Sequence, residues 1–158
     1  MTLAEKLLPK LSEWTPSGDG RHSCAVALPE CGWTVQVSAD KVDSLSALLW
    51  ELTLTRTADA PAGLNLKEWA AGVADRVGGL LEDLKLHEVD TSRDEAVLRS
   101  EAPAKKGGTL AYYEIVLHGL NAAVVRRYSA TKAVPGREQV AFALTHELLA
   151  KLAGDIAG

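Results

Sequence analysis

The segment from Ser23 to Ser38 predicts a β-hairpin with a fixed register. Large apolar side chains alternate with small or polar ones on both sides of Pro29–Gly32, a segment of turn-forming residues. If those four residues form the turn, the facing pairs are Leu28 with Trp33, Val26 with Val35, and Cys24 with Val37. All six side chains then lie on one face of the sheet, and a slip of one residue would move them to the other. We therefore expect a sheet with one buried face and Trp33 in the core.

The rest of the chain predicts an α+β fold in a single domain covering residues 1–158. A capping box at Thr2 and Glu5 begins a first helix, which Pro9 should kink or restart. Asn65 caps a second helix. The predicted strands after the hairpin are 48–55, 84–89, 95–101, 109–117 and 122–129, and the last helix runs from about Gly136 to Ile156. The result is an antiparallel sheet of about seven strands in the order α-βββ-α-ββββ-α, with the helices packed on the sheet.

Composition excludes several classes of function. The chain has 158 residues and a net charge of −4, which argues against a large nucleic-acid surface. No apolar run is long enough to span a bilayer, so we expect no membrane partner. Cys24 and Cys31 have neither zinc nor redox spacing. The hairpin register separates them by more than the reach of a disulfide, and a reducing cytoplasm is expected.

The motifs predict no catalytic residue, no cofactor and no metal. His146 and Glu147 begin a zinc-protease motif, but Ala150 stands where the second histidine ligand belongs. Gly18 and Gly20 lie between a helix and a strand, the wrong context for a dinucleotide loop.

Two neighbouring arginines allow alternative interpretations. Arg126 and Arg127 should point to opposite faces of a strand, near the tyrosines Tyr112, Tyr113 and Tyr128. They could form an anion pocket, or they could simply pack across neighbouring strands.

The last predicted helix carries the candidate partner-binding residues. On a helical wheel its large apolar side chains cover an arc wider than one core contact requires. Phe142, Leu149 and Ile156 lie on the flank of that arc and are predicted to contact a protein partner or a second copy of the chain. Alternatively, the N-terminal helix covers this flank within the same chain.

Two family resemblances cover most of the sequence. The segments LKEWAAGVADRV, GTLAYYEIVLHG and AAVVRRYSA, with the closing helix, resemble the later part of PsbP-like domains. Residues 1–57, with SCAVALPECGWTVQV and LSALLWELTLT, resemble type III secretion chaperones and YbjN-type domains, although four strands after the second helix exceed the chaperone pattern. Both resemblances imply a non-catalytic binding or scaffolding domain. Such a domain could form a homodimer or act as an accessory of secretion or assembly. The alternative is a small-molecule binder or enzyme with a pocket between sheet and helices.

Overall fold

A computed structural model describes residues 1–158 and contains three helices and one ten-stranded sheet. The helices are α1 (Leu3–Glu13), α2 (Leu66–Arg76) and α3 (His146–Ala157). The strands are β1 (His22–Leu28), β2 (Trp33–Val42), β3 (Ser46–Arg56), β4 (Leu84–Asp90), β5 (Glu95–Ser100), β6 (Ala104–Lys106), β7 (Thr109–His118), β8 (Ala122–Thr131), β9 (Glu138–Val140) and β10 (Phe142–Thr145). The mixture of helices and antiparallel sheet confirms the predicted class. None of the three helices has the length and apolar character that crossing a membrane requires.

The first hairpin has the predicted register. Leu28 pairs with Trp33, Val26 with Val35, and Cys24 with Val37. The turn is a short 3-10 segment that ends at Gly32, whose φ of 78° lies in the left-handed region. A Cβ at this position would come within 2.9 Å of the Ala58 side chain, so both the backbone and the available space require glycine. Both cysteines are free thiols, as predicted.

The predicted helix caps are also present. Thr2 and Glu5 form the capping box of α1, and the Asn65 side chain accepts a hydrogen bond from the backbone N–H of Glu68 at the start of α2. The expectation that Pro9 restarts the helix is wrong, because α1 is a single helix from Leu3 to Glu13 with Pro9 inside it, and a kink at Pro9 stays a prediction. Proline removes one backbone donor, whereas three buried leucines along α1 hold the helix against the core.

The prediction of a long C-terminal helix from about Gly136 is wrong for the first half of that helix. Residues 138–140 and 142–145 form β9 and β10, and α3 begins only at His146. Thr145 is the N-cap, since its side chain accepts a hydrogen bond from the backbone N–H of Leu148. The strand count is therefore ten instead of about seven, and the third additional strand is β6, within a predicted connection.

β3 and β8 diverge in the middle of the sheet, and β9 and β10 fill the fork between them. The main strand order is β1-β2-β3-β8-β7-β5-β4, and every pairing is antiparallel. β3 pairs with β8 only over residues 52–55, while residues 46–49 of β3 pair with β10. Residues 127–129 of β8 pair with β9 instead. The last two strands thus supply the partners that β3 and β8 lose where they diverge.

The two faces of the sheet have different environments. On the covered face, alternate side chains join the three helices in one continuous core, which includes Leu7 of α1, Trp69 of α2 and Leu149 of α3. The Trp69 indole N–H donates a 2.8 Å hydrogen bond to the carbonyl of Ile156, which links α2 to α3. On the open face, the intervening side chains stay outside this core. One cross-strand row of the open face comprises Gln36, Thr53, Val124, Val116 and Val97.

Candidate functional site

The predicted partner-binding residues lie in the core. Phe142 is in β10, 4% exposed, and its ring meets that of Tyr113 edge-to-face at a centroid distance of 5.5 Å. Leu149 and Ile156 are in α3 and are fully buried. The flank is therefore covered within the same chain. These three side chains therefore offer no surface to a partner.

α1 also packs directly against α3. A Cβ built at Gly154 of α3 would lie 3.4 Å from the Cβ of Ala4 in α1, so the two helices approach closely at small residues. The apolar arc on α3 is wide because α3 contacts α1 and α2 as well as the sheet.

Arg127 lies on the covered face and is fully engaged by Glu82. Its terminal nitrogens donate to the two carboxylate oxygens at 2.9 and 3.3 Å, and both side chains are less than a tenth exposed. Ser100 Oγ donates to the same carboxylate at 3.0 Å, and the guanidinium lies 4.1 Å from the centroid of the Tyr113 ring. This bidentate pair leaves no free anion pocket around Arg127.

Arg126 points to the open face, so the prediction of opposite faces is confirmed. Its Nε donates to Glu51 Oε2 at 2.8 Å. Burial alone would lower the pKa of Arg126, but the hydrogen bonds to Glu51 and Tyr128 outweigh burial and raise it above its ordinary value.

A second carboxylate on the open face, that of Glu114, is shared by two arginines. Arg99 Nε donates to it at 3.0 Å, Arg137 Nη1 donates to it at 3.1 Å, and Arg137 Nη2 lies 3.1 Å from its other oxygen as an ion pair. Glu114 is only 4% exposed, whereas the arginine side chains are 36% and 37% exposed. The carboxylate is therefore neutralised beneath guanidinium groups that reach solvent.

Two tyrosines hold these arginines in place. Tyr112 and Tyr128 are directly paired on β7 and β8, with ring centroids 6.0 Å apart. The Arg137 guanidinium lies 3.7 Å from the Tyr128 centroid and donates to the Tyr112 hydroxyl at 3.1 Å. Burial would lower the pKa of Arg137, yet its bonds to Glu114 and Tyr112 raise that pKa, so the residue stays charged.

We call this surface the arginine–tyrosine patch. Its members are Arg99, Arg126, Arg137, Tyr112 and Tyr128, with the carboxylates of Glu51 and Glu114. Sequence interpretation singled out Arg126 and the two tyrosines but missed Arg99, Arg137 and Glu114. Strand alternation would have placed Glu114 on the same face as Tyr112. The approach of Arg137 depends on β9, which the sequence did not predict.

The other chemically interesting side chains form no catalytic arrangement. No group of three or more His, Cys, Asp or Glu side chains is placed to hold a metal ion. His146 is 4% exposed, and neither ring nitrogen has a hydrogen-bond partner. Partial burial raises the pKa of the Cys24 thiol, which disfavours the reactive thiolate.

The largest groove lies on the helix side of the molecule, outside the core. It has a volume of about 630 Å³ and is lined mainly by residues of α1 and α3. Trp33, Cys31 and Arg76 close one part of it, and the α3 residues Glu147, Lys151 and Asp155 add charges of both signs. The groove is therefore a channel between helices, and the space between sheet and helices is filled by core side chains.

Comparison of the chain with protein-family models, with curated proteins and with solved structures finds no match.

Proposed function

We propose that this chain is a non-catalytic protein-binding or scaffolding domain and that the open face of its sheet is the binding surface. The observation that carries this proposal is the arginine–tyrosine patch. It places three solvent-reaching guanidinium groups and two tyrosines on a rigid sheet whose opposite face alone is covered by helices.

The composition of the patch supports protein binding. Arginine and tyrosine are over-represented among the residues that contribute most to protein–protein affinity. Arg137 and Tyr128 are already stacked on each other, so less side-chain freedom is lost when a partner binds. The half-buried valines Val97, Val116 and Val124 form an adjacent apolar row on the same face, which a partner can dehydrate.

Both family resemblances imply the same class of function. A secretion or assembly accessory, acting as a monomer or as a homodimer in the cytoplasm, would use such a surface. The alternative, a small-molecule binder, would use the groove between α1 and α3. We favour the open face, because the patch is built from strands and its charged groups are held by one another.

Peptide selection on the full chain would test this proposal. Peptides selected from a displayed library are compared for affinity to the wild type, to Arg126→Glu on the open face and to Lys151→Glu in the groove. The two variants make the same change of charge at side chains of similar exposure. We expect the selected peptides to lose at least about tenfold in affinity for Arg126→Glu, a change of ~1.4 kcal/mol, and to be unaffected by Lys151→Glu. The opposite result would contradict the proposal and support the groove.

A further inference from the structure

The basic residues of this chain are concentrated around the arginine–tyrosine patch. The whole sequence has 17 basic and 21 acidic residues. Residues 104–137, which form β6, β7, β8 and the connection to β9, contain six basic residues and a single acidic one, Glu114. An acidic protein therefore carries one strongly basic region, and that region includes the surface assigned to binding.

Exposed lysines extend the basic region beyond the patch. Lys105 and Lys106 lie in β6, and Lys132 follows β8; all three are exposed. β6 pairs with the start of β7, so these lysines lie at the end of the sheet next to Tyr112. Lys105 and Lys132 also line a shallow depression of about 410 Å³ around Gly107. By strand alternation Lys105, paired with Leu110, lies on the same face as Tyr112, so positive charge is also present at this end of the open face.

Within the patch, positive charge exceeds negative charge, and several donors remain. Three arginines face two carboxylates, since Glu114 is shared by Arg99 and Arg137. Arg126 donates to Glu51 through Nε and also bonds Tyr128, which still leaves terminal N–H groups for another acceptor. A guanidinium that is held in place and keeps free N–H groups is suited to a further carboxylate.

Resting on the proposed function, we propose that the partner presents an acidic, extended peptide segment that lies across the arginine–tyrosine patch. Arg99 in β5 and Arg126 in β8 are separated by β7, so their backbones lie about 10 Å apart at ~4.8 Å per strand. A peptide in a polyproline II conformation has three residues per turn and rises ~3.1 Å per residue, so carboxylates three residues apart lie on one side of it, about 9 Å apart, and match this spacing. The lysines at the end of the sheet attract the rest of the acidic segment.

An acidic peptide fits this surface better than a nucleic acid does. Nucleic-acid binding depends on neutralising a continuous series of phosphates. Here Glu51 interrupts the positive surface at the side of Arg126. A peptide can place its separate carboxylates on the arginines and avoid Glu51. The continuous phosphates of a nucleic acid would also lie against Glu51 and be repelled by it.

Fluorescence anisotropy with defined probes would test the inference. The probe is a labelled peptide of about twelve residues with glutamate at every third position, a spacing of ~9 Å along one side of a polyproline II helix. Matched probes carry glutamine at the same positions, or consist of single-stranded oligonucleotide. The chain is used as wild type, as Arg126→Gln/Arg137→Gln, as the surface variant Lys105→Glu/Lys132→Glu, and as the control Lys10→Gln/Arg93→Gln. This control removes two positive charges from exposed positions in α1 and the β4–β5 turn.

We expect the glutamate peptide to bind at least about tenfold more tightly than the glutamine peptide, and both the arginine variant and the lysine variant to reduce this difference by about tenfold. Affinity should fall as salt rises, and the control should match the wild type. The lysine variant keeps the test valid if the arginine variant does not fold.

Three outcomes would overturn the inference. If the two peptides bind equally, or if the glutamate peptide does not bind at low salt, the partner is not acidic. In that case the proposed function still stands if peptides selected from a library lose affinity for the Arg126→Glu variant. If the oligonucleotide binds more tightly than the glutamate peptide and responds to the same variants, the patch takes nucleic acid.

Discussion

Arg126 and Arg127 are neighbours in β8, yet their side chains lie in opposite environments. Arg127, on the covered face, makes a bidentate pair with Glu82 that is almost completely buried. Arg126, on the open face, makes a single bond to Glu51, and its side chain is 39% exposed. The strand alternation of a single sheet has therefore produced a structural ion pair and a surface ion pair from adjacent residues.

The difference shows where this chain is committed to its fold and where it is free to bind. A buried pair cannot lose one member without leaving an unpaired charge in a poorly solvated site. An exposed pair contributes little to stability because water and salt screen it. An exposed binding residue such as Arg126 can therefore change at little cost in folding, whereas substitutions of buried residues on the covered face should affect stability first.

Charge placed on the covered face should have the largest effect. The double variant Phe142→Glu/Leu149→Glu puts two carboxylates into a fully packed core, and we expect no folded protein. Circular dichroism and sedimentation would detect this loss. The control Gln36→Glu/Thr53→Glu, on the open face, should stay folded. A folded, soluble Phe142→Glu/Leu149→Glu variant would contradict the placement of these residues in the core.

Removal of a large core side chain should have the next largest effect. Trp33 is 3% exposed and packs against Trp69 at a centroid distance of 5.9 Å. Trp33→Ala should lower the free energy of unfolding by ~3–5 kcal/mol in chemical denaturation. Trp50→Ala should have less than half that effect, because Trp50 is only half-buried, beneath Arg21. Equal losses would remove the distinction between the two positions.

The two arginines give the most direct test of the comparison. Arg127→Met leaves the Glu82 carboxylate without its main partner and should lower the free energy of unfolding by about 3 kcal/mol. The double variant Arg127→Met/Glu82→Leu should recover part of this loss, since it removes both buried charges. A double-mutant cycle in urea would measure the recovery. If the loss in the double variant equals the sum of the losses in the two single variants, the pair contributes little to stability.

Arg126→Met should have the smallest effect. The pair with Glu51 is exposed, so the free energy of unfolding should fall by less than ~1 kcal/mol in the same assay. A loss as large as that of Arg127→Met would mean that the open face is a structural surface, and the case for binding there would weaken.

The sequence predicted the elements in which local chemistry and hydrophobic period agree. The first hairpin was predicted to the residue because the turn at Pro29–Gly32 and the alternation of apolar side chains require the same register. The caps at Thr2 and Asn65 were predicted for the same reason, since each depends on residues within one turn of helix.

The first half of the last predicted helix, residues 136–145, was mispredicted because its pattern satisfies two periods. Phe142 and Leu144 alternate as a strand requires, and Leu144 and Leu148 also have helical spacing. Residues 142–145 form a strand because they pair with β3, which is far away in sequence. The arginine–tyrosine patch could not be predicted as a whole either, because Arg99, Glu114 and Arg137 come from three distant segments that only the complete sheet brings together. Pairings over such distances leave no local signal in the sequence.

The fork between β3 and β8 also affects how the chain can fold during synthesis. β10 pairs with residues 46–49, and the whole of residues 50–141 must be made before that pairing is possible. Until then the diverging halves of β3 and β8 expose unpaired backbone groups, which are sites for aggregation. Closure of the sheet therefore waits until residues 142–145 have left the ribosome, and we expect it to be a slow step with high contact order.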